Sequence, residues 1–217
     1  MDVEDQSRLL EYPPNTSGSV KVTFGDVETL EPGRYLNDRI IDFYLSYLHH
    51  EVLSVEDQEG VHLFPTTFYT RLTSKNGQGS VKMTAAQKRY SNVARWTKNV
   101  NIFEKRLLVF PICQHQHWFT IVVVLPSLVT KPREENENGE PLLIVLDSLD
   151  RQQATAERFI REYLAEEWQV RFSCKTGKTF KFTAEEIKAV RPEKPNQPNS
   201  HDCGVYLLQY LEKMFKR

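Results

Sequence analysis

The chain has 217 residues, 40% hydrophobic and 26% charged, which supplies a sizeable core and excludes a disordered chain. A formal net charge of −1 argues against a nucleic-acid binder, which carries a basic excess, and leaves polar protein partners open. Three cysteines are too few for a disulfide framework and point to a reducing compartment, and no apolar run nears the roughly 20 residues of a membrane span.

The acidic, polar start MDVEDQSRLLEYPP lacks the basic and apolar regions of a signal peptide. No repeat and no linker divides the chain, so residues 1–217 read as one domain, with 1–18 as an extended arm rich in turn formers. VKVTF (20–24) alternates as a short strand. LNDRIIDFYLSYLHHEVL then reads as a helix. Asn37 or Asp38 can cap it, and Ile40, Ile41, Phe43, Tyr44, Tyr47 and Leu48 form its apolar face. Further helices are expected over 65–72 and 84–96, with a flexible SKNGQGS loop (74–80) between them.

The pattern then changes to LLVFPI (107–112), WFTIVVVL (118–125) and LLIVL (142–146), apolar runs of the kind that form central strands buried on both faces. A charged, Pro-containing loop fills 126–141. A helix is expected over about 152–166, then WQVRF (168–172) as a strand. Residues 173–202 hold a Lys-rich turn, a short TAEEIK helix and a prolyl run before a final helix. Helices and strands segregated around a mixed sheet give the class α+β.

One of the three cysteines opens that last helix. After Cys203, apolar residues recur at helical spacing through Val205, Leu208, Leu211, Met214 and Phe215, and Asp202 is placed to cap. A thiol at a helix N-terminus meets unpaired amides that favour its thiolate. The plainer reading is a small buried core residue. Gly204, expected to leave space beside the sulfur, and the polar NSHD stretch before it favour a reactive one.

A nucleophilic cysteine needs a base and a group to orient that base. His117 stands at the entry to WFTIVVVL and Asp147 just past LLIVL, so neighbouring strands would bring both to one rim of the sheet. Singly, each has a plainer reading, a strand-end histidine and a turn-starting aspartate. Gln197, six residues before Cys203, could donate its amide to an oxyanion beside the Cys203 N–H, or be a solvated loop residue. A rival is a soft-metal site: Cys113, His115 and His117 alternate and would share one face of a continuous strand, although the spacing is unlike zinc motifs. Cys174 reads as structural, and His49 and His50 as helix-end cations.

HW at 117–118, LDSL at 146–149, Q-x5-C-G ending in HDCGVYLLQY, and YLNDRIIDFYLSYL at 35–48 together resemble the ubiquitin-like protease (sentrin-specific, SUMO-processing) cysteine peptidases. The resemblance runs from about residue 10 to 215, in the chain order His, Asp, Cys. RWTKNVNIFEK (95–105) and the early EYPP are most similar to the branch that trims poly-SUMO chains.

The resemblance implies a papain-like fold of the ubiquitin-like protease type, a central mixed sheet flanked by helices with the nucleophile at a helix N-terminus. It implies Cys203 as nucleophile, His117 as base, Asp147 as orienter and Gln197 as oxyanion donor. Substrate is expected along Trp118, Tyr35, Asn37 and Asp38, with Tyr35 standing where many members have tryptophan. The partners implied are SUMO, SUMO conjugates and SUMO chains. It implies a nuclear monomer, with the cytoplasm as a second site, that uses no cofactor, metal, nucleic acid or membrane, and the chain can be a fragment of a longer protein. Two other functions compete: the same chemistry on ubiquitin or the neddylation modifier, which a reactivity panel separates, and a module that binds a modifier without cutting it. An acyltransferase on the same fold is more distant.

Overall fold

A computed structural model describes residues 8–16, 18–75, 82–124, 126, 140–173, 180 and 182–216. Its centre is a five-stranded mixed sheet in the order β3-β4-β5-β6-β7, with β3 Val61–Leu63, β4 Leu107–Gln114, β5 His117–Val124, β6 Leu142–Leu146 and β7 Lys188–Val190. The β4–β5 and β5–β6 pairs are antiparallel, while β3 and β7 run parallel to their neighbours. The three apolar runs become β4, β5 and β6. β5 is central and buried at seven of its eight positions, as a strand covered on both faces must be.

Alternation along β4 and β5 sorts side chains into two cores. Leu108, Phe110, Ile112, Phe119, Ile121 and Val123 face one core with Phe64, Phe68, Tyr163 and Trp168, supplied by α4 (Thr67–Thr73), α6 (Ala154–Trp168) and the segment before α4. Val109, Trp118 and Val122 face the other, with α2 (Asp38–Tyr47) and the last helix, α7 (Cys203–Phe215). Asn37 accepts the Ile40 N–H at 3.0 Å and caps α2, a bond of a kind worth about 1 kcal/mol. Ile40, Ile41 and Leu45 are the residues α2 buries, and Tyr47 stays exposed.

Several expectations are corrected. The arm contributes β1 (Arg8–Tyr12), which pairs antiparallel with β2 (Val20–Thr23), and a short α1 (Phe24–Glu28) follows at once. Leu48–Val52 continue α2 as a wider π turn, and α3 (Val55–Gly60) leads into β3. The helix expected over 84–96 is α5, Ala85–Ser91, and the chain beyond it turns to send Thr97 inward. WQVRF is not a strand. Gln169–Ser173 extend α6 as a π turn, which stacks Phe172 on Trp168 at 5.3 Å, with both rings edge-on to Phe103. That i, i+4 aromatic pair needs a helical backbone and overrides the β-propensity of the run. TAEEIK makes one turn, closed by Ile187 N–H to Thr183 O at 3.0 Å, and its end enters β7. The readings for 76–80, 127–139 and Cys174 fall outside the described residues.

Candidate active site

β4 and β5 meet in a two-residue turn, His115-Gln116, whose φ values of 50° and 60° are those of the hairpin turn that matches strand twist. This turn settles the metal alternative. His115 sits exposed at the turn, Cys113 faces the α7 side opposite Trp118, and His117 stands at the rim, so the three share no face. Among the described residues no group of three or more His, Cys, Asp or Glu could hold a metal ion.

His117 opens β5, and Asp147 follows the last residue of β6. Because β6 pairs with β5 only as far as Thr120↔Leu146, the two side chains meet just beyond the ladder, with His117 Nε2 2.7 Å from Asp147 Oδ1. Asp147 Oδ1 also accepts the Leu149 N–H at 2.9 Å, and its Oδ2 accepts the Gln153 amide at 2.7 Å. Burial alone would raise this carboxyl, but the His117, Gln153 and Leu149 bonds hold it below the ordinary carboxylate range.

Cys203 is the first residue of α7, and its sulfur interacts with the imidazole. Since Nε2 is taken by Asp147, the nitrogen left for the sulfur is Nδ1. Burial would lower His117, yet the Asp147 and Cys203 contacts outweigh it and raise the imidazole to about 9. Burial would likewise raise Cys203. The His117 contact and the backbone N–H groups of Trp118 and Gly204 prevail and bring the thiol below its ordinary value. This is the electrostatics of a thiolate–imidazolium pair.

Two local expectations fail. Asp202 makes no side-chain cap to α7. Asn199 organises the turn instead, its Oδ1 accepting the His201 and Asp202 N–H groups at 3.1 and 3.0 Å while its Nδ2 donates to the Asp202 carboxylate at 2.7 Å. The space beside Gly204 is not empty either. A Cβ there would lie 3.0 Å from the Leu36 Cβ, so the glycine lets Leu36 close over the start of α7. The Leu36 carbonyl in turn accepts the Trp118 indole N–H at 2.8 Å. Cys203 is only 1% exposed under this cover, and Tyr35, one residue before Leu36, is 43% exposed at the surface.

The remaining expected residues divide. Gln197 is buried beside Ser148 and near the turn before Cys203. Asn37 is occupied as a helix cap and as donor to Asp26 at 2.8 Å, which ties α1 to α2. Asp38 is exposed and lines a cavity of about 580 Å³ together with Arg39, Asp42, His49 and Phe64; none of Cys203, His117, Asp147 and Gln197 lines it. Ser148, Gln153 and Asn199 were missed. Each is a polar loop residue; the partner of Ser148 lies 49 positions away, while those of Gln153 and Asn199 are near in sequence, and only the S in LDSL and the N of NSHDCG hinted at two of them.

The residues from 34 to 217 match the Ulp1 protease family, C-terminal catalytic domain. The chain belongs to this family. It is 33% identical to sentrin-specific protease 7 of Homo sapiens over 96% of its own length and 25% of the relative's. To the probable ubiquitin-like-specific protease 2A of Arabidopsis thaliana it is 32% identical over 97% of its length and 27% of that protein. The chain thus spans about a quarter of these relatives. Its fold superposes on the crystal structure of a de-sumoylating protease with a TM-score of 0.75 at 26% identity, covering 96% of this chain and 73% of that one. The Ulp1-type architecture expected from the motifs is the architecture present.

The two described free thiols provide a test of the electrostatics. Burial pushes Cys113 up to about 11, whereas Cys203 is lowered, although Cys113 is the more exposed. Limiting iodoacetamide near neutral pH is expected to alkylate Cys203 ahead of Cys113, since the thiolate is the reacting form. Peptide mass mapping over time reads the order; faster labelling of Cys113 would mean that access, not charge, governs.

Proposed function

We propose that this chain is a cysteine isopeptidase that cleaves after the C-terminal Gly-Gly of SUMO and trims SUMO chains. The observation that carries this reading is the buried Cys203–His117–Asp147 constellation, with a carboxylate 2.7 Å from one imidazole nitrogen and the sulfur on the other. Cys203 S⁻ attacks the carbonyl carbon of the terminal glycine, and the oxyanion is met by the Cys203 N–H and the Gln197 amide. The His117 imidazolium passes its proton to the departing lysine amine. His117 then takes a proton from water, which hydrolyses the thioester and frees the thiolate.

Substrate access supports a glycine end. Cys203 is buried at the start of α7, where Leu36 packs on Gly204 and accepts the Trp118 indole N–H, with Tyr35 exposed next to Leu36, so a chain end without side chains is the one that fits beside the sulfur. Specificity for a folded modifier then rests on a wider polar surface, in keeping with a near-neutral chain. The names of the relatives, a sentrin-specific protease and a de-sumoylating protease, favour SUMO as that modifier. Nuclear residence belongs to the same reading, and imaging of the tagged full-length protein tests it.

The test is trapping. SUMO, ubiquitin and the neddylation modifier, each with a C-terminal thiol-reactive warhead, are mixed with wild type and with Cys203→Ala. A covalent SUMO adduct in wild type alone is the expected result. An adduct with another modifier and not with SUMO would overturn the substrate, and no adduct from folded protein would favour a binding module.

A further inference from the structure

Among the residues around the site, Ser148 is bound to Gln197 and takes no part in the steps above. It is 1% exposed, and its Oγ donates to Gln197 Oε1 at 2.5 Å. Its carbonyl accepts the Gln197 backbone N–H at 3.1 Å, so the two residues are joined at two points. Gln197 is itself only 6% exposed, and its Nε2 donates to the Asn199 carbonyl at 2.6 Å.

A glutamine amide has two nearly isosteric ends, and one must face the substrate as donor for oxyanion chemistry. One end is read by its partner. The Asn199 carbonyl can only accept, so a flipped amide would set two acceptor oxygens against each other. With Nε2 fixed there, the Ser148 hydroxyl, which can donate or accept, meets Oε1 as a donor and holds the amide in place from the other side. Nε2 has two hydrogens, and Asn199 takes one, which leaves a single N–H to be directed elsewhere. A donor on Oε1 also polarises the amide and strengthens that remaining N–H as a donor.

We infer that Ser148 is a positioning residue for the oxyanion donor, holding and polarising the Gln197 amide through its hydroxyl. This rests on the reading of Gln197 given above. Its place in the fold fits the role. Asp147 and Ser148 are consecutive at the end of β6: the first side chain meets His117, and the second meets Gln197. One dipeptide thus orients the base on one side and the oxyanion donor on the other, which couples the halves of the site through a strand end in the core.

The experiment is a double-mutant cycle on hydrolysis of SUMO carrying a C-terminal fluorogenic amide, using Ser148→Ala, Gln197→Ala and the pair. Gln197→Ala is expected to lower kcat about 100-fold, as loss of one oxyanion donor does, and Ser148→Ala about 10-fold with KM nearly unchanged. In the Gln197→Ala background, Ser148→Ala should cost about twofold or less. Iodoacetamide alkylation of Cys203, which forms no oxyanion, should keep its rate and pH profile in Ser148→Ala.

Full additivity of the two losses would overturn the inference, because Ser148 would then act elsewhere. So would a shifted alkylation profile, which would place its effect on Asp147 and His117. A Gln197→Ala enzyme with undiminished kcat would remove the underlying reading and the inference with it, a result distinct from either. Should Ser148→Ala fail to fold, Ser148→Cys, of similar size with a weaker donor, runs through the same cycle, with an intermediate loss expected.

Discussion

Cys203→Ala is expected to reduce hydrolysis of a C-terminal SUMO amide to the uncatalysed background, and His117→Ala to lower kcat by about 10⁴-fold. Combining the two should cost no more than Cys203→Ala alone, because a thiolate and the imidazole that creates it act as one unit. Asp147→Asn separates charge from geometry. Asparagine can still present an oxygen to His117 and Leu149, but its NH₂ would then face the Gln153 amide, and Gln153 must flip to accept it. With the negative charge gone, the main support for a protonated His117 is lost, and a kcat about 10³-fold below wild type is expected.

The pH profile follows with a definite sign. The productive form is thiolate with imidazolium. His117 is raised to about 9, so its proton is held across neutral pH and lost as pH rises through that value, which sets the falling limb. Cys203 is lowered, so the rising limb lies below the ordinary thiol range. Both limbs belong to the coupled pair. In Asp147→Asn the falling limb should move to lower pH. Stopped-flow hydrolysis between pH 5 and 10 reads it; an unshifted limb would mean that Asp147 only packs against the ring.

The elements that place this chemistry were legible where a long apolar run left one solution. LLVFPI, WFTIVVVL and LLIVL read as central strands, and their ends place His117 and Asp147 at one rim once β5 and β6 are neighbours, as they are. β3 and β7, three residues each, are too short to carry a period and take their pairing from β4 and β6. Asn37 over Asp38 as the cap of α2 was a local choice that propensity could not make. Ser148, Gln153 and Asn199 lay outside any reading of pattern: the partner of Ser148 is 49 positions away, and the bonds of Gln153 and Asn199 within their own loops depend on turn geometry that no periodicity encodes. The expected roles of Asp202 and Gly204 failed for separate reasons: Asn199 engages the Asp202 carboxylate, and Leu36, distant in sequence, fills the space beside Gly204.

The largest effect on stability is expected far from the sulfur. Glu167, at the end of α6, is 0% exposed, a burial that a carboxylate tolerates only when fully partnered. Its Oε2 accepts the Tyr90 hydroxyl at 2.8 Å, its Oε1 accepts the Thr97 hydroxyl at 2.6 Å, and Arg171 Nη1 lies 3.2 Å away. Thr97 also meets the Tyr163 hydroxyl at 3.3 Å, and Arg171 continues to the carbonyls of Thr97 and Val100. One carboxylate therefore gathers α5, the turns after it, α6 and the π turn beyond. Its bonds to Tyr90 and Thr97 bracket the point where the chain leaves the helix at Ser91, although the sequence pattern runs on to Trp96.

Glu167→Ala removes the acceptor, leaving the Tyr90 hydroxyl without this partner, Thr97 with Tyr163 alone and Arg171 without its counter-charge, at a cost of about 3–5 kcal/mol. Glu167→Gln keeps the shape and one oxygen, and its NH₂ can donate to a hydroxyl, so about 1–2 kcal/mol is expected. Urea denaturation should show both losses as a lower midpoint at unchanged slope. Since the network lies behind the sheet, on the face away from α7, kcat per folded molecule should stay at the wild-type value. A loss in Glu167→Ala below about 1 kcal/mol would mean that water replaces the carboxylate and that aromatic packing alone fixes this layer. A loss of kcat in the folded variant would mean instead that α6 transmits strain through β5 to His117.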